Sequence, residues 1–261
     1  MKRAAALLCA VFCASLTPAG AWGEDGFEAP GAGGVEGDMA DSRVHDPWEG
    51  MNRSIFAFNE WADRWLIEPL AIGWDFVLPE PAQLGIENFF DNLHFPRRFT
   101  NDLLQGKPRD AGETLGRFLI NSSFGVGGLF DPAVTNGWLP AHDEDFGQTL
   151  GVWGVPTGPY LVLPVFGASS PRDTVGLVVD GYMRPETYFV PFYVNVGSWA
   201  TDSLNLRALA LEDVRAERAA AFDFYAAVRR AYVQYRANAV RDAADLPEEE
   251  EDEDFFDLED E

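Results

Sequence analysis

Few side chains in this chain of 261 residues are spaced for chemistry. The histidines, His45, His94 and His142, fall in neither an HxxxH nor an HExxH spacing. Two zinc ligands on one helix must stand about three or four residues apart to share a face, so structural or surface histidines are expected instead of a metal site. Asp143-Glu144-Asp145 lacks the alternating oxygen ligands of a calcium loop and reads as a solvated acidic turn. Gly167-Ala168-Ser169-Ser170-Pro171 falls short of a nucleophile elbow, because Pro171 stands where the second glycine belongs; its serines read as a helix cap. Gly125-Val126-Gly127-Gly128 has no strand before it and no Lys-Ser or Lys-Thr after it, which excludes a dinucleotide fingerprint and a phosphate loop. It reads as a flexible turn, with a hinge or membrane-dipping loop as the sharper alternative. No catalytic residue, cofactor or metal is therefore expected.

The aromatic residues carry more. Trp48, Phe58, Trp61, Trp65 and Trp74 fall in or near one amphipathic stretch, interleaved with Arg53, Asp63, Arg64 and Glu68. Trp suits a bilayer interface because one end of its side chain is apolar and the other polar. An amphipathic helix can lie in that plane without crossing it. Composition leaves two readings open: a membrane-interface surface at Trp48, Phe58, Trp61 and Trp65, or the core stripe of a water-soluble domain.

The elements that must position these residues are helical. Met51, Ile55, Phe58, Ala62, Trp65 and Leu66 recur at three- and four-residue steps, which predicts a helix ended by Pro69. Asp46 is placed to cap it, with Pro47 at its first position. Leu70–Val77, Ala82–Leu93, Arg97–Leu104, Arg109–Ile120 and a segment starting at Pro171 read as further short helices. Thr149–Phe166 is the most apolar stretch, but Pro156, Gly158, Pro159 and Pro164 exclude one continuous spanning helix. That leaves a helix with a hairpin, or a re-entrant segment. Tyr182–Val196 is aromatic and irregular, and Thr201–Ala244 is the clearest helical run, free of Pro and Gly. Strand alternation is not convincing anywhere, so the class is all-α.

The ends differ from this body. Lys2 and Arg3, the apolar run Ala4–Leu16 and Ala19-Gly20-Ala21 make a secretory signal, residues 1–21, cleaved after Ala21. Both cysteines, Cys9 and Cys13, lie inside it, leaving no disulfide or thiolate in the mature chain. Neither has the residues before it that a lipid-attachment signal requires. Residues 22–44 read as a flexible leader, 45–244 as one helical domain and 245–261 as a disordered acidic tail holding eleven carboxylates after Pro247. The net charge of −24 excludes nucleic acid as a partner, since phosphate binding needs a concentrated basic surface.

Several longer motifs occur in fixed order: Asp46-Pro-Trp-Glu-Gly-Met-Asn-Arg53, Asn88-Phe-Phe-Asp-Asn-Leu93 and Leu103-Leu-Gln-Gly-Lys107. Arg117-Phe-Leu-Ile-Asn-Ser-Ser-Phe-Gly-Val-Gly-Gly-Leu-Phe-Asp131, Asp145-Phe-Gly-Gln-Thr-Leu-Gly151, Gly158-Pro-Tyr-Leu-Val-Leu-Pro164 and Ser170-Pro-Arg-Asp173 continue the series. Together, from Asp46 to Tyr235, they resemble the MlaA (VacJ) family. That resemblance implies a ring-shaped, multi-helix bundle with an amphipathic channel, embedded at the periplasmic side of the bacterial outer membrane. It implies removal of mislocalised phospholipids from the outer leaflet, delivery to a periplasmic lipid-carrier protein, and work beside a trimeric porin, without catalysis. Members of the family usually end their signal in a lipidated cysteine, a pattern that this sequence lacks. A lipid path calls for helices apolar outside and polar inside, with breakers where backbone lines a cavity. This places a channel or hinge loop at Gly125, Gly127 and Gly128 and at Pro156, Gly158, Pro159 and Pro164. The competing readings are a soluble periplasmic lipid carrier and, with no supporting serine–base motif, a lipase or esterase.

Overall fold

Proline and glycine cut the chain into short helices, and the computed structural model describes residues 45–135, 137 and 139–244. The signal 1–21, the leader 22–44 and the tail 245–261 lie outside the described residues. Helix α1, Glu49–Ala62, passes through a π-helical turn, Asp63–Ile67, into α2, Glu68–Val77. Then come α3, Glu80–Leu93, α4, Phe95–Leu104, α5, Pro108–Ser123, the one-turn α6, Pro132–Thr135, and α7, Phe146–Val152. Strands β1, Leu161–Leu163, and β2, Gly167–Ser169, form an antiparallel hairpin in which Val162 faces Ala168. The chain ends with α8, Pro171–Met183, the short α9, Glu186–Phe189, α10, Phe192–Leu209, α11, Leu211–Ala220, and α12, Phe224–Ala244. The all-α class holds, and of the two readings for Thr149–Phe166 the structure has the helix with a hairpin.

Pro69 does not end the first helix. A proline inside a helix has no N–H to donate and its ring crowds the carbonyl four residues back. Here the Glu68 N–H reaches five residues back to the Asp63 carbonyl, and this wider turn carries the helix through the proline. Asp46 does not cap α1, whose first turn has no side-chain cap; it turns instead to the far end of the chain. The Pro- and Gly-free run 201–244 is also three helices, because Ala221 adopts an extended backbone and Asp223 restarts the helix by accepting from the Ala226 N–H. The irregular reading of Tyr182–Val196 is likewise corrected: α9 and the first turns of α10 occupy it.

The packing of these elements closes on itself. Helix α2 lies on α10, α10 on α3, α3 on α4, α4 on α7 and α7 on α12. Helix α12 then returns to the start of the chain. Tyr225 and Arg229 bond to Asp46, and Phe56 of α1 packs edge-on against Tyr225 at 5.4 Å. A small apolar cluster of Phe56, Tyr160, Val162, Tyr225, Val228 and Tyr232 seals this closure.

Apart from a second apolar cluster of Ala71, Ala208 and Leu211 and the buried Val214, the rest of the interior is largely polar. Helix α4 buries Arg97, Arg98, Asn101 and Asp102; α5 buries Thr114, Arg117 and Asn121 beside Ala111; α10 buries Asp202, Asn205 and Arg207 beside Ala208. These residues repeat at helical spacing, so the polar stripes face inward. The apolar stripes face outward: Trp65 is 74 % exposed, Phe76 89 % and Phe189 85 %, with Phe58, Trp61, Leu119, Phe124 and Phe192 also exposed. A water-soluble domain buries the opposite set.

Candidate functional site

The inward stripes meet as ion pairs. Beneath the π turn, Arg207 donates from Nε and Nη2 to the two oxygens of Asp63 at 2.9 and 3.0 Å, and both residues are 1 % exposed. Arg218 joins from α11, donating to Asp63 at 2.8 Å and to Glu60 at 3.0 Å, and Arg215 donates to Glu68. On the opposite side of the circuit, Arg236 bridges Asp145 and Asp173, while Arg97 pairs with Asp143. Lys107 and Gln105 hold Glu144. The run Asp143–Asp145 is therefore not a solvated turn. Its three carboxylates are buried, each against a cation from a different part of the chain: Arg97 of α4, Lys107 just before α5 and Arg236 of α12. Charges out of water survive only when paired in this way.

Between Arg236 and the hairpin lies a cavity of about 40 Å³ with two characters. Its lining combines Arg97, Asp145, Asp180 and Arg236 with Leu163, Phe166 and Leu177. Burial raises Asp180 to about 6 despite the nearby Arg97, whereas Arg236 pulls Asp145 well below the ordinary carboxylate range against the cost of its burial. The wall thus presents both guanidinium and carboxylate chemistry beside hydrocarbon.

Two asparagines on α1 hold the hairpin. Asn52 accepts from the Val162 N–H and donates to the Tyr160 carbonyl, each at 3.0 Å. Asn59, seven residues on, accepts from the Val165 N–H at 3.0 Å and donates to the Leu163 carbonyl at 2.9 Å. Sequence reasoning missed both. The signal was there: Asn52 and Asn59, seven residues apart, are amides that share a face of α1 beside the apolar stripe, where a helix packed on a sheet would carry hydrocarbon.

The predicted loop residues sit in two surroundings. Gly125, Gly127 and Gly128 form a hydrogen-bonded turn after α5: the N–H groups of Gly125, Gly127 and Gly128 reach the carbonyls of Ile120, Ser122 and Asn121. A Cβ on Gly125 would stand 2.2 Å from the Phe130 carbonyl oxygen, so no other residue fits there without movement. Phe124, Val126 and Phe130 project outward from the turn. Pro156, Gly158 and Pro159 lead into β1, with Gly158 against the ring of Pro171, and Pro164 opens the hairpin turn beside the clamp of Asn59. Trp48, Phe58, Trp61 and Trp65 are all exposed, and Phe58 stacks on Trp61 at 6.2 Å. The serines Ser169 and Ser170 are buried; Ser170 Oγ caps α8 by accepting from the Asp173 N–H, as the sequence predicts.

Residues 44–239 match the family model described as MlaA lipoprotein. The chain belongs to the MlaA family. It is 37 % identical over 201 residues to the intermembrane phospholipid transport system lipoprotein MlaA of Haemophilus influenzae, covering 74 % of this chain and 78 % of that one. To the protein of the same name from Escherichia coli K12 it is 36 % identical over 192 residues, covering 72 % and 76 %. A solved structure described as "Structural basis for maintenance of bacterial outer membrane lipid asymmetry" superposes with a TM-score of 0.66 at 35 % identity, over 75 % of this chain and 98 % of that one. The MlaA resemblance carried by the motifs between Asp46 and Tyr235 is thereby borne out. Those motifs hold many of the buried or half-buried polar partners: Asp46 and Asn52 in the first, Asp91 and Asn92 in the second, Arg117, Asn121 and Asp131 in the longest.

Proposed function

We infer that this MlaA-family chain takes phospholipid out of the outer leaflet of the bacterial outer membrane and hands it to the periplasmic side, maintaining lipid asymmetry. The observation that carries this reading is the inverted burial. Hydrocarbon-facing helices with ion-paired inner stripes suit a body that sits in lipid and offers a polar way through. Among the described residues no helix is long and apolar enough to cross a membrane, which fits a body lying in one leaflet better than a bundle of spanning helices. In this reading Trp48, Phe58, Trp61 and Trp65 are the membrane-interface residues. The turn Gly125–Gly128 and the segment Pro156–Pro164 border the lipid path. A trimeric porin and a periplasmic lipid carrier are the partners we propose, the first against the apolar exterior and the second below the ring.

We propose further that the ring performs no catalysis. Ser170 is engaged in capping α8 and Ser169 in a hydroxyl pair with Thr174, and among the described residues neither has a histidine partner. Thr114, His142 and Asp102 do converge, with Thr114 Oγ1 2.9 Å from His142 Nε2. However, Asp102 Oδ2 approaches that same nitrogen at 3.4 Å and accepts from the Thr114 hydroxyl at 2.7 Å. A relay needs the acid on the other ring nitrogen. The soluble-carrier alternative is disfavoured by the exposed aromatics, which would aggregate in water. The test is complementation. In a strain lacking its own copy of this gene, outer-leaflet phospholipid, read by acylation of surface-exposed lipid, returns to the parental level when the chain is supplied. A chain that reaches the outer membrane fraction yet leaves that signal unchanged sinks the reading.

A further inference from the structure

Helices α3, α4, α8, α9 and α10 pack in a closed circuit, each on the next and the last on the first, and the buried polar residues around Arg184 within that circuit form a chamber. Arg184, the residue after α8, is 6 % exposed, and its Nε and Nη2 meet no partner. Its one ion pair, Nη1 to Glu186 Oε1, spans 3.8 Å, longer than a hydrogen bond. Arg97, Arg98, Arg172, Arg207 and Arg236 each donate at least one hydrogen bond to a carboxylate; Arg184 donates none. The mismatch extends to its neighbours, since Glu186 Oε2 and Arg97 Nε are also buried without partners. Asp202, buried on α10, is attracted by Arg184 but repelled by Glu87, Asp91 and Glu186. His94 lies among Arg97, Arg98 and Arg184, which together with burial keep it neutral. Unsatisfied groups of both signs thus share one enclosed place, at a cost that the fold would not carry for packing alone.

We propose that this chamber is a station for a zwitterionic phospholipid headgroup, whose phosphodiester accepts from Arg184 and Arg97 and whose ammonium is received by Glu186 and Asp202. This rests on the phospholipid reading above. Charge complementarity selects the ligand class. A free phosphate would answer the guanidiniums and leave Glu186 and Asp202 unpaired, and a headgroup without a cation would meet both as repulsion. A phosphate and an ammonium on one short linker satisfy both sets together. The arrangement makes Asp202 and Glu186 the residues that choose between headgroups, and Arg184 the residue that retains any of them.

The test uses the full chain purified in mild detergent after equilibration with vesicles of equal parts ethanolamine- and glycerol-headed phospholipid, with bound lipid extracted and weighed by mass spectrometry. The wild type is expected to carry phospholipid enriched in the ethanolamine class. Arg184→Gln is expected to lose total lipid roughly tenfold, the size of a lost charged hydrogen bond. It should melt close to the wild type, because the guanidinium it removes makes no hydrogen bond and only one long ion pair. Asp202→Asn is expected to keep its total and shift the class ratio several-fold toward glycerol headgroups, a readout that partial misfolding would not move. Wild-type amounts and ratio in both variants overturn the proposal. So does Arg184-dependent binding of inorganic phosphate that displaces no lipid. A wild-type protein that carries no phospholipid at all defeats the functional reading itself, before the chamber is in question.

Discussion

Asn52 and Asn59 perform with side chains what a third strand would perform with its backbone. Each amide takes one carbonyl and one N–H, from the two peptide groups that flank a single residue, Leu161 for Asn52 and Pro164 for Asn59, and the two stand on one face of α1. Replacing Asn52 by Ala leaves the Val162 N–H and the Tyr160 carbonyl buried and unpaired, so a loss of about 2–4 kcal/mol is expected, measurable by thermal or denaturant unfolding in detergent. Asn52→Asp should be nearly as costly, since a carboxylate cannot donate to a carbonyl. Arg207→Met is a sharper case. It strands Asp63, leaving Arg218 as its hydrogen-bonded partner, and about 3–5 kcal/mol should be lost; the double variant Asp63→Leu/Arg207→Met should recover much of it. Acid sensitivity belongs at this scale as well. Burial raises Asp202 from its ordinary 3.8 to about 7 even with Arg184 near. The folded state therefore binds a proton there that the unfolded chain has released. This contribution is fully present below about pH 4 and lost as pH rises to about 7. Asp202→Asn removes the dependence, so its stability relative to the wild type should grow across that window and level off above it. A difference that stays flat from pH 4 to 8 contradicts the assignment.

The glycine turn after α5 separates two roles that one motif can play. Gly125 is wedged between the carbonyls of Asn121 and Phe130, whereas Gly127 has open space around it and a φ of +72°. Gly125→Ala should therefore disrupt the turn, costing several kcal/mol, while Gly127→Ala should cost about 1 kcal/mol from the left-handed backbone alone. If both prove equally mild, the turn is loose and the tight hydrogen-bonded geometry is wrong. The same elements show what a sequence can and cannot disclose. The Ser170 cap was legible because a cap is made within three residues of itself. Helix boundaries such as Leu104 and Leu93 were legible because Pro96 and Gly106-Lys107-Pro108 interrupt the chain there. The carriage of α1 through Pro69 was not, since a π turn leaves no residue signature of its own. Periodicity on α5 was legible, but its sense was not. Leu115 and Leu119 mark a face without saying whether water, lipid or protein covers it, and here they point out. Asp143–Asp145 was misread because its cations, Arg97, Lys107 and Arg236, stand far away along the chain. Of the site, the family motifs gave the kind of function, while the clamp asparagines and the Arg184 chamber became visible only once folding brought distant residues together.

The whole molecule inverts the usual sorting of residues, and that inversion predicts where the protein stays. Placing charges on the outer face, as in the triple variant Trp61→Asp/Trp65→Asp/Phe76→Asp, touches residues that make their contacts outside the ion-paired interior. Such a variant should keep its fold and leave the membrane fraction for the soluble one, since each aspartate costs about 2–3 kcal/mol where it must enter hydrocarbon. Retention in the membrane pellet would mean that another part of the chain holds it there. The closure between the two ends has a consequence for assembly. Asp46 is among the first described residues and its partners Tyr225 and Arg229 are among the last. A chain exported from its N-terminus cannot settle Asp46 until some 180 further residues have crossed, as the sequence separation of 183 between Asp46 and Arg229 records. Through that interval Asp46, Asp145 and Asp173 lack their mates on α12. In the exported-protein reading, closure is expected to wait for the C-terminal helix, and a chain stalled short of α12 should remain a client of periplasmic chaperones and proteases.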